Sequence, residues 1–518
     1  MGTHRQIPLF DTAWLTILAV VVGVAAPLTA VAAVPEYVLD ATWRDSLDFL
    51  LTRGEIHDVY RTSRPHGHAE LQAVFPRVDP GADGLAAGIV TGLARSLSHT
   101  GAFGAKLWTE ADLAPEHDPR VLPRARAAIR YANPRGLTLY QEFTVRPGSA
   151  DDAHVRGGQT AQFRTRVWNP GDLLPSGGYV ADFTRAFVRM PVAGVTVTVG
   201  RQPFRWGPGR SGALTLSDAS PALDGVSLSG RFGPVLGTAV FATLNRLWHD
   251  DGDRRYLARR YFSAHRLHWQ LSERLEIGVM DTVLYGGDGR QVEPYYLNPV
   301  LPFYASQFNA TSDGNAATLD DNAMIGADVR WTPAPDWSAY GELLIDDFAY
   351  DADSDDPNAL AWMVGCHRAG LWTRGEARVE YARAGRYTYT HLRQENQYTH
   401  YGASLGPILG NDADTLSAEA AWWVSPDSRL SLRVEQRRKG DSGVDDRYRG
   451  ETATGFLRGA ASTTRTARLG GWRRVGPDWL LTGSAAYVDQ RNRDNVPGAD
   501  ADTWEWRGTI GRRLHIDR

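Results

Sequence analysis

Two arginines and a tryptophan, Arg205, Trp206 and Arg210, crowd into one tight turn within the stretch from Gly200 to Pro221, GRQPFRWGPGRSGALTLSDASP. This set suits sugar recognition. An aromatic ring offers a face to the C–H surface of a sugar, and planar guanidinium groups hold the carboxylates of an acidic polysaccharide bidentately. Asp218, Asp346 and Asp347 are the carboxylates nominated as partners for the arginines. The same residues also suit a second role, a buried Arg–Asp network that fills an internal space, because a buried guanidinium requires a paired charge. Both roles are open to one cluster.

Other chemistry has little to work with. Ser211-Gly212 and Ser229-Gly230 lack the frame of a nucleophile elbow, and no His-Glu-x-x-His or Cys/His cluster occurs. The histidines are scattered, and the closest suggestive pair, His66 and His68, reads as part of a solvated loop rather than a metal site. The run Asp351 to Asp356 has calcium-loop spacing without the central Gly and closing Glu, so an acidic, hydrated external loop is expected. No catalytic residue, metal or cofactor is therefore expected. Cys366 is the single cysteine, unable to form an internal disulfide, and reads as a packed thiol. A net charge of -4 carries no basic excess to attract nucleic acid.

What must position the Arg/Trp turn is a sheet. Val195, Val197 and Val199 alternate with Thr196 and Thr198, a strand with one apolar face, and Leu214 and Leu216 resume alternation after the glycines and prolines. From about residue 100 the chain is a series of such segments, for example Leu275-Glu276-Ile277-Gly278-Val279 and Leu430-Ser431-Leu432-Arg433-Val434-Glu435. Alternation alone fits a soluble sandwich or a membrane barrel. The connections favour the barrel. Short ones (Gly233-Pro234, Pro335-Asp336, Pro426-Asp427, Pro477-Asp478) tend to alternate with long polar ones (148–158, 350–358, 439–450, 489–502), as turns and loops do on the two rims of an outer-membrane barrel. Trp331, Trp337, Trp422, Trp423, Trp472 and Trp479 sit beside the short turns, where an aromatic girdle belongs.

These features predict an all-β transmembrane barrel of about 18 antiparallel strands over residues 100–518. Residues 1–32 read as a cleaved signal peptide, with an apolar run from Ala13 to Ala26 and small residues at Ala30-Val31-Ala32. Between them, residues 33–99 carry two helical patterns: Trp43, Leu47, Leu50 and Leu51 before Gly54, then Leu85, Ile89, Leu93 and Leu97. They are expected to form a small helical segment on the periplasmic side. No later apolar run reaches the ~20 residues of a spanning helix. The chain ends on Arg518, unlike the terminal Phe familiar from such barrels.

The motif GRQPFRWGPGRSGALTLSD resembles that of the capsule-assembly Wzi family of Gram-negative outer-membrane proteins. LNPVLPFYASQFN, DDNAMIGADVRW and GELLIDDF, between Leu297 and Phe348, are similar to the family's central strands in content and order. The resemblance is clearest from about Asp40 to Asp347. It implies a lectin-like outer-membrane barrel that binds or anchors capsular or extracellular polysaccharide at the cell surface. Its partners would be that polysaccharide, outer-membrane lipid and the polysaccharide export machinery. Two other readings stay open: a porin for small solutes, whose lumen must be open, and an outer-membrane hydrolase, for which no Ser/His pair is nominated.

Overall fold

A computed structural model describes residues 41–56, 59–64, 84–97, 103–116, 118–133, 135–147, 179–250, 255–303, 321–347, 357–391, 393–446 and 455–517. The proposed signal peptide, the pair His66 and His68 and the run Asp351 to Asp356 lie outside these residues. Alternating segments pair in sequence order, each antiparallel to the next, into an 18-strand barrel. The first strand, Phe103–Glu116, closes the ring on the last, Ala501–Asp517, with Gly104 opposite Asp517 and Leu113 opposite Gly508. Closure leaves no unpaired edge, the condition for strands in hydrocarbon.

The connections are sorted as expected. One rim carries turns such as 193–194, 233–234, 273–274 and 426–427; the other carries the connections 203–222, 288–321, 385–412 and 440–461. Alternation puts apolar side chains outside. On Ser428–Lys439, Leu430, Leu432 and Val434 are about half exposed on the outer wall, while Arg429, just before them, is buried inside. On Trp337–Asp347, Leu343 faces out and Glu342 and Leu344 face in. A soluble sheet reverses this arrangement, so the wall is one that faces lipid.

The period of two also divides the tryptophans. Trp331, Trp337, Trp422 and Trp479 are exposed at the ends of their strands beside the short turns. Trp423 and Trp472, expected in the same girdle, turn inward instead, and their rings meet edge-on at 5.5 Å. Neighbours on a strand point to opposite faces, so Trp422 and Trp423 cannot both face lipid. Cys366 corrects a second expectation. It shares the outward face of Ala359–Leu371 with Trp362 and Val364 and is exposed rather than packed inside.

Helix α1, Ala41–Arg53, ends before Gly54 and buries Leu47, Phe49, Leu50 and Leu51. It sits within the short-turn mouth. Thr52 Oγ1 bonds His367 Nδ1 on the inner wall at 2.8 Å, Asp45 Oδ2 accepts Trp472 Nε1 at 3.1 Å, and Phe49 packs on Trp423 with ring centres 5.2 Å apart. Helix α2, Gly84–Leu97, covers α1 with Leu85, Ile89 and Leu93. Gly88 lets it approach the turn at Pro426, whose Cγ would lie 2.4 Å from a Cβ at that position.

Candidate functional site in the barrel lumen

The connection 203–222 leaves the long-loop rim and folds into the lumen, where its backbone has left the wall's ladder and must find other partners. Two wall carboxylates supply them. Glu342 Oε1 accepts Leu214 N at 2.9 Å and Thr215 N at 3.0 Å. Glu380 accepts Arg210 N at 2.6 Å, Ser211 N at 2.8 Å and the hydroxyl of Tyr340 at 2.9 Å. The N-terminal chain meets the turn from below: Ser63 and Arg64 pair antiparallel with Trp206 and Arg205, and Gly207 N donates to Thr62 O at 2.8 Å. Gly207 adopts φ +143, and a Cβ there would stand 2.3 Å from Glu342 Oε2, so the junction is built for glycine.

Four of the six nominated residues come together. Arg205 Nη1 donates to Asp218 Oδ1 at 3.0 Å, its other amine bonds Gly209 O, and Arg44 of α1 approaches Asp218 at 3.6 Å. Arg210 Nη2 reaches Asp45 Oδ1 of α1 at 2.6 Å. Trp206 is 1% exposed, packed with Phe204, Leu214 and Leu216, and has no face free for a sugar. Asp346 and Asp347 do not join this group. Alternation separates them: Asp346 turns inward and accepts Tyr389 N at 2.5 Å, while Asp347 is exposed at the strand end.

A second inward connection, 385–412, had no signal in the sequence reading. Tyr389 and Tyr398 stack at 5.7 Å and donate their hydroxyls to Leu214 O and Thr215 O, both at 2.7 Å, and Ser217 N donates to Leu405 O at 2.7 Å. Arg260 braces this connection by donating to Glu395 O at 2.6 Å and Gln397 O at 2.7 Å. The wall partners Glu342 and Glu380 were missed as well. Their signal was present: a charged residue on the face that also carries Leu344 has to meet something inside.

Two hydroxyl–His–Glu relays tie the N-terminal chain to the wall. Ser63 Oγ lies 2.8 Å from His268 Nδ1, and His268 Nε2 lies 3.1 Å from Glu276; Thr52, His367 and Glu376 repeat the order, with His367 Nε2 2.9 Å from Glu376. The buried pair Arg266 and Asp328, 2.6 Å apart, completes the first relay, for Arg266 Nε also donates to Ser63 Oγ at 2.8 Å. Among the described residues no group of three or more His, Cys, Asp or Glu is placed to hold a metal ion.

Three inward segments therefore meet in one cluster, wired to strands between Arg255 and Val475. The family model of the capsule assembly protein Wzi matches residues 125–504. The chain belongs to that family. Among solved structures this Wzi-family barrel is similar to Escherichia coli Wzi, described as an outer-membrane protein involved in group 1 capsule assembly and a carbohydrate-binding β-barrel. Identity is 17% over 92% of this chain and 99% of that one, with a TM-score of 0.62, which shows a shared fold. It is more distantly similar to Pseudomonas aeruginosa OpdK with vanillate (12% identity, 80% and 98% covered, TM-score 0.45) and OprD (11%, 81% and 96%, 0.44). No curated protein matches the chain. A Wzi-family barrel is an outer-membrane protein, so the short turns mark its periplasmic rim and the long connections its outer rim.

Proposed function

We propose that this Wzi-family barrel holds exported capsular or extracellular polysaccharide at the cell surface as a plugged binding protein, not as a pore. The observation that carries the reading is the contact between Arg210, on a segment entering from the outer rim, and Asp45, on a helix entering from the periplasmic rim. A porin needs a continuous aqueous path, whereas here the inward segments interlock. The carbohydrate-binding description of the Escherichia coli relative supports a polysaccharide ligand.

In this reading Arg205, Trp206, Arg210 and Asp218 form the keystone of the plug, and Asp346 secures its second loop. Residues 1–32 direct export and are removed, residues 33–99 form the periplasmic segment, and the export machinery delivers the polysaccharide. The two hydroxyl–His–Glu relays act as tethers rather than as hydrolase machinery. Ser63 Oγ already accepts Arg266, and His268 is fully buried, so a substrate carbonyl has no approach.

The test compares cells with and without the gene for surface-bound against shed polysaccharide, alongside conductance of the purified protein in planar bilayers. Shedding on deletion together with a small conductance is expected. Open-porin conductance with unchanged retention would replace this reading with the porin.

A further inference from the structure

The connection 288–321 starts at the outer rim, and its described part, up to Phe303, folds back over the outside of the barrel instead of entering the lumen. Burial on the wall shows this. On Arg255–Ser272 and Leu275–Gly287 the outward residues Leu267 and Val279 are more than half exposed, yet Val283 and Tyr285, further up the same outward face, are at most 1% exposed. Tyr296 and Phe303 cover them and join Val283, Tyr285 and Ala323 in a hydrophobic cluster outside the ring. Phe303 also stacks on outward-facing His265 at 4.1 Å, and its N–H donates to Asp281 Oδ2 at 2.7 Å, which covers a His265–Asp281 pair 3.2 Å apart.

This flap reaches membrane depth. His265 lies four residues above Trp269 on the same outward face, ~13 Å along the strand and so within the ~25 Å apolar band of such a barrel. Irregular backbone beside hydrocarbon must have its donors satisfied. Here they are. Pro299 and Pro302 carry no N–H, Asn298 N donates to Tyr295 O at 3.2 Å, Val300 N to Asn298 Oδ1 at 3.1 Å, Leu301 N to Asn298 O at 3.4 Å, and Phe303 N to Asp281. Pro299, Val300 and Pro302, which stay exposed, are apolar. The segment is built to sit against lipid.

Between the flap and the periplasmic rim the outer wall carries a groove of about 560 Å³, within the roughly 300–1,000 Å³ of small-molecule sites. Leu228, Gly237, Leu267 and Val279 line it on the wall, and Pro299 and Val300 close it from the flap. Gly230 stands opposite Gly237, and Gly237 opposite Leu267, so two missing side chains open the recess. Its outward side chains are apolar apart from the His265–Asp281 pair at the flap end. We infer that this groove holds an acyl chain of a phospholipid from the periplasmic leaflet as a bound lipid, a role independent of the polysaccharide reading. The occupant follows from continuity with the lipid-facing wall, which places hydrocarbon at the mouth of the groove. The leaflet follows from height, since Gly237 lies just past the short turn 233–234 on the periplasmic rim. Retention follows from the flap: a bare barrel wall offers a lipid chain one side, whereas this recess offers contacts on several, and dispersion contacts add up.

The test is native mass spectrometry of the full-length protein, reconstituted in dioleoylphosphatidylethanolamine vesicles and released into mild detergent. The parent should retain a phospholipid through detergent removal. Gly237→Phe fills the groove, and it should assemble as the parent does, because a Cβ at residue 237 meets nothing nearer than 3.8 Å. Its retained lipid should fall about tenfold or more. Leu469→Phe adds bulk to an exposed outward position away from the groove and should retain lipid like the parent. Leu228→Trp, which fills the groove from another side, carries the test if Gly237→Phe lacks the heat-modifiable band of an assembled barrel. A parent that retains no lipid overturns the site, and so does equal retention in the parent and the filled variants. Loss of lipid from Leu469→Phe as well would mark ordinary boundary lipid and overturn it too. A dimer that disappears in Gly237→Phe would give the groove to a second copy of the chain and equally overturn the lipid assignment.

Discussion

Arg210 Nη2 lies 2.6 Å from Asp45 Oδ1, and this one ion pair joins a segment that enters the barrel from outside to a helix that enters from the periplasm. Asp45 also accepts Trp472 Nε1 at 3.1 Å and faces Arg429 at 3.6 Å. Removing a single partner from such a buried network strands the remaining charges. Asp45→Ala is expected to destabilise the plug by ~3–5 kcal/mol. The expected readout is a rise in single-channel conductance, with new protease cleavage in the N-terminal segment; a variant as closed and resistant as the parent would count against an interlocked plug.

Gly207 and Glu342 form the second joint. A side chain at residue 207 meets Glu342 Oε2 and suffers the cost of a positive φ, so Gly207→Ala should lower stability by roughly 1–3 kcal/mol. Part of this loss should disappear in a Glu342→Ala background, because the clash partner is then gone. Urea midpoints for the four proteins of the cycle measure the coupling, and strict additivity would place the cost in the backbone alone.

The outward face predicts a contrast. Leu432→Arg places a charge on the lipid side of the barrel, which costs ~2–4 kcal/mol near the bilayer midplane. Reduced assembly, read as loss of the heat-modifiable band in gels, is the expected result.

Cys366 supplies a direct probe of that face. In lipid vesicles a hydrophobic maleimide should label it and a charged, water-soluble maleimide should not. Labelling by the charged reagent would place residue 366 in water.

The plug should respond to acid and not to mild alkali. Burial alone would push Asp48 up, but Arg64, Arg378 and Arg330 outweigh it and hold the carboxyl well below its ordinary range. Burial likewise opposes Asp218, which Arg205, Arg44 and Arg64 hold below its usual value. Both carboxylates are charged more readily folded than unfolded. Their contribution is thus complete above about pH 4–5 and falls as pH drops through the unfolded carboxylate value near ~3.9 towards the folded one. Protease resistance of the N-terminal segment should stay constant from pH 8 to pH 5 and decline below pH 4; loss between pH 8 and pH 6 would point to other groups.

Much of the barrel was legible in the chain because its information is local. A period of two, turn residues at short connections and long polar stretches between them are set by neighbours, and they gave the strand number and the two rims. The inward turn was legible too, since Gly207, Pro208 and Gly209 break a strand while Arg205, Trp206 and Arg210 are costly to leave unpartnered. The period of two even contained corrections that were not drawn from it, placing Trp422 outside and Trp423 inside, and parting Asp346 from Asp347.

What the turn touches was settled only in three dimensions. Glu342 lies 128 positions from Leu214, Glu380 lies 170 from Arg210 and Asp45 lies 165 from Arg210, and no local pattern couples residues so far apart. The inward course of 385–412 was equally hidden, because no local pattern marks Tyr389 and Tyr398 and only closure of the ring puts Leu214 O and Thr215 O within reach of their hydroxyls. Sequence periodicity thus determined a lipid-facing wall, a property each strand carries alone. Ring closure decided what fills the lumen, because buried charges and unpaired backbone groups can choose partners only among the residues that closure brings to face them.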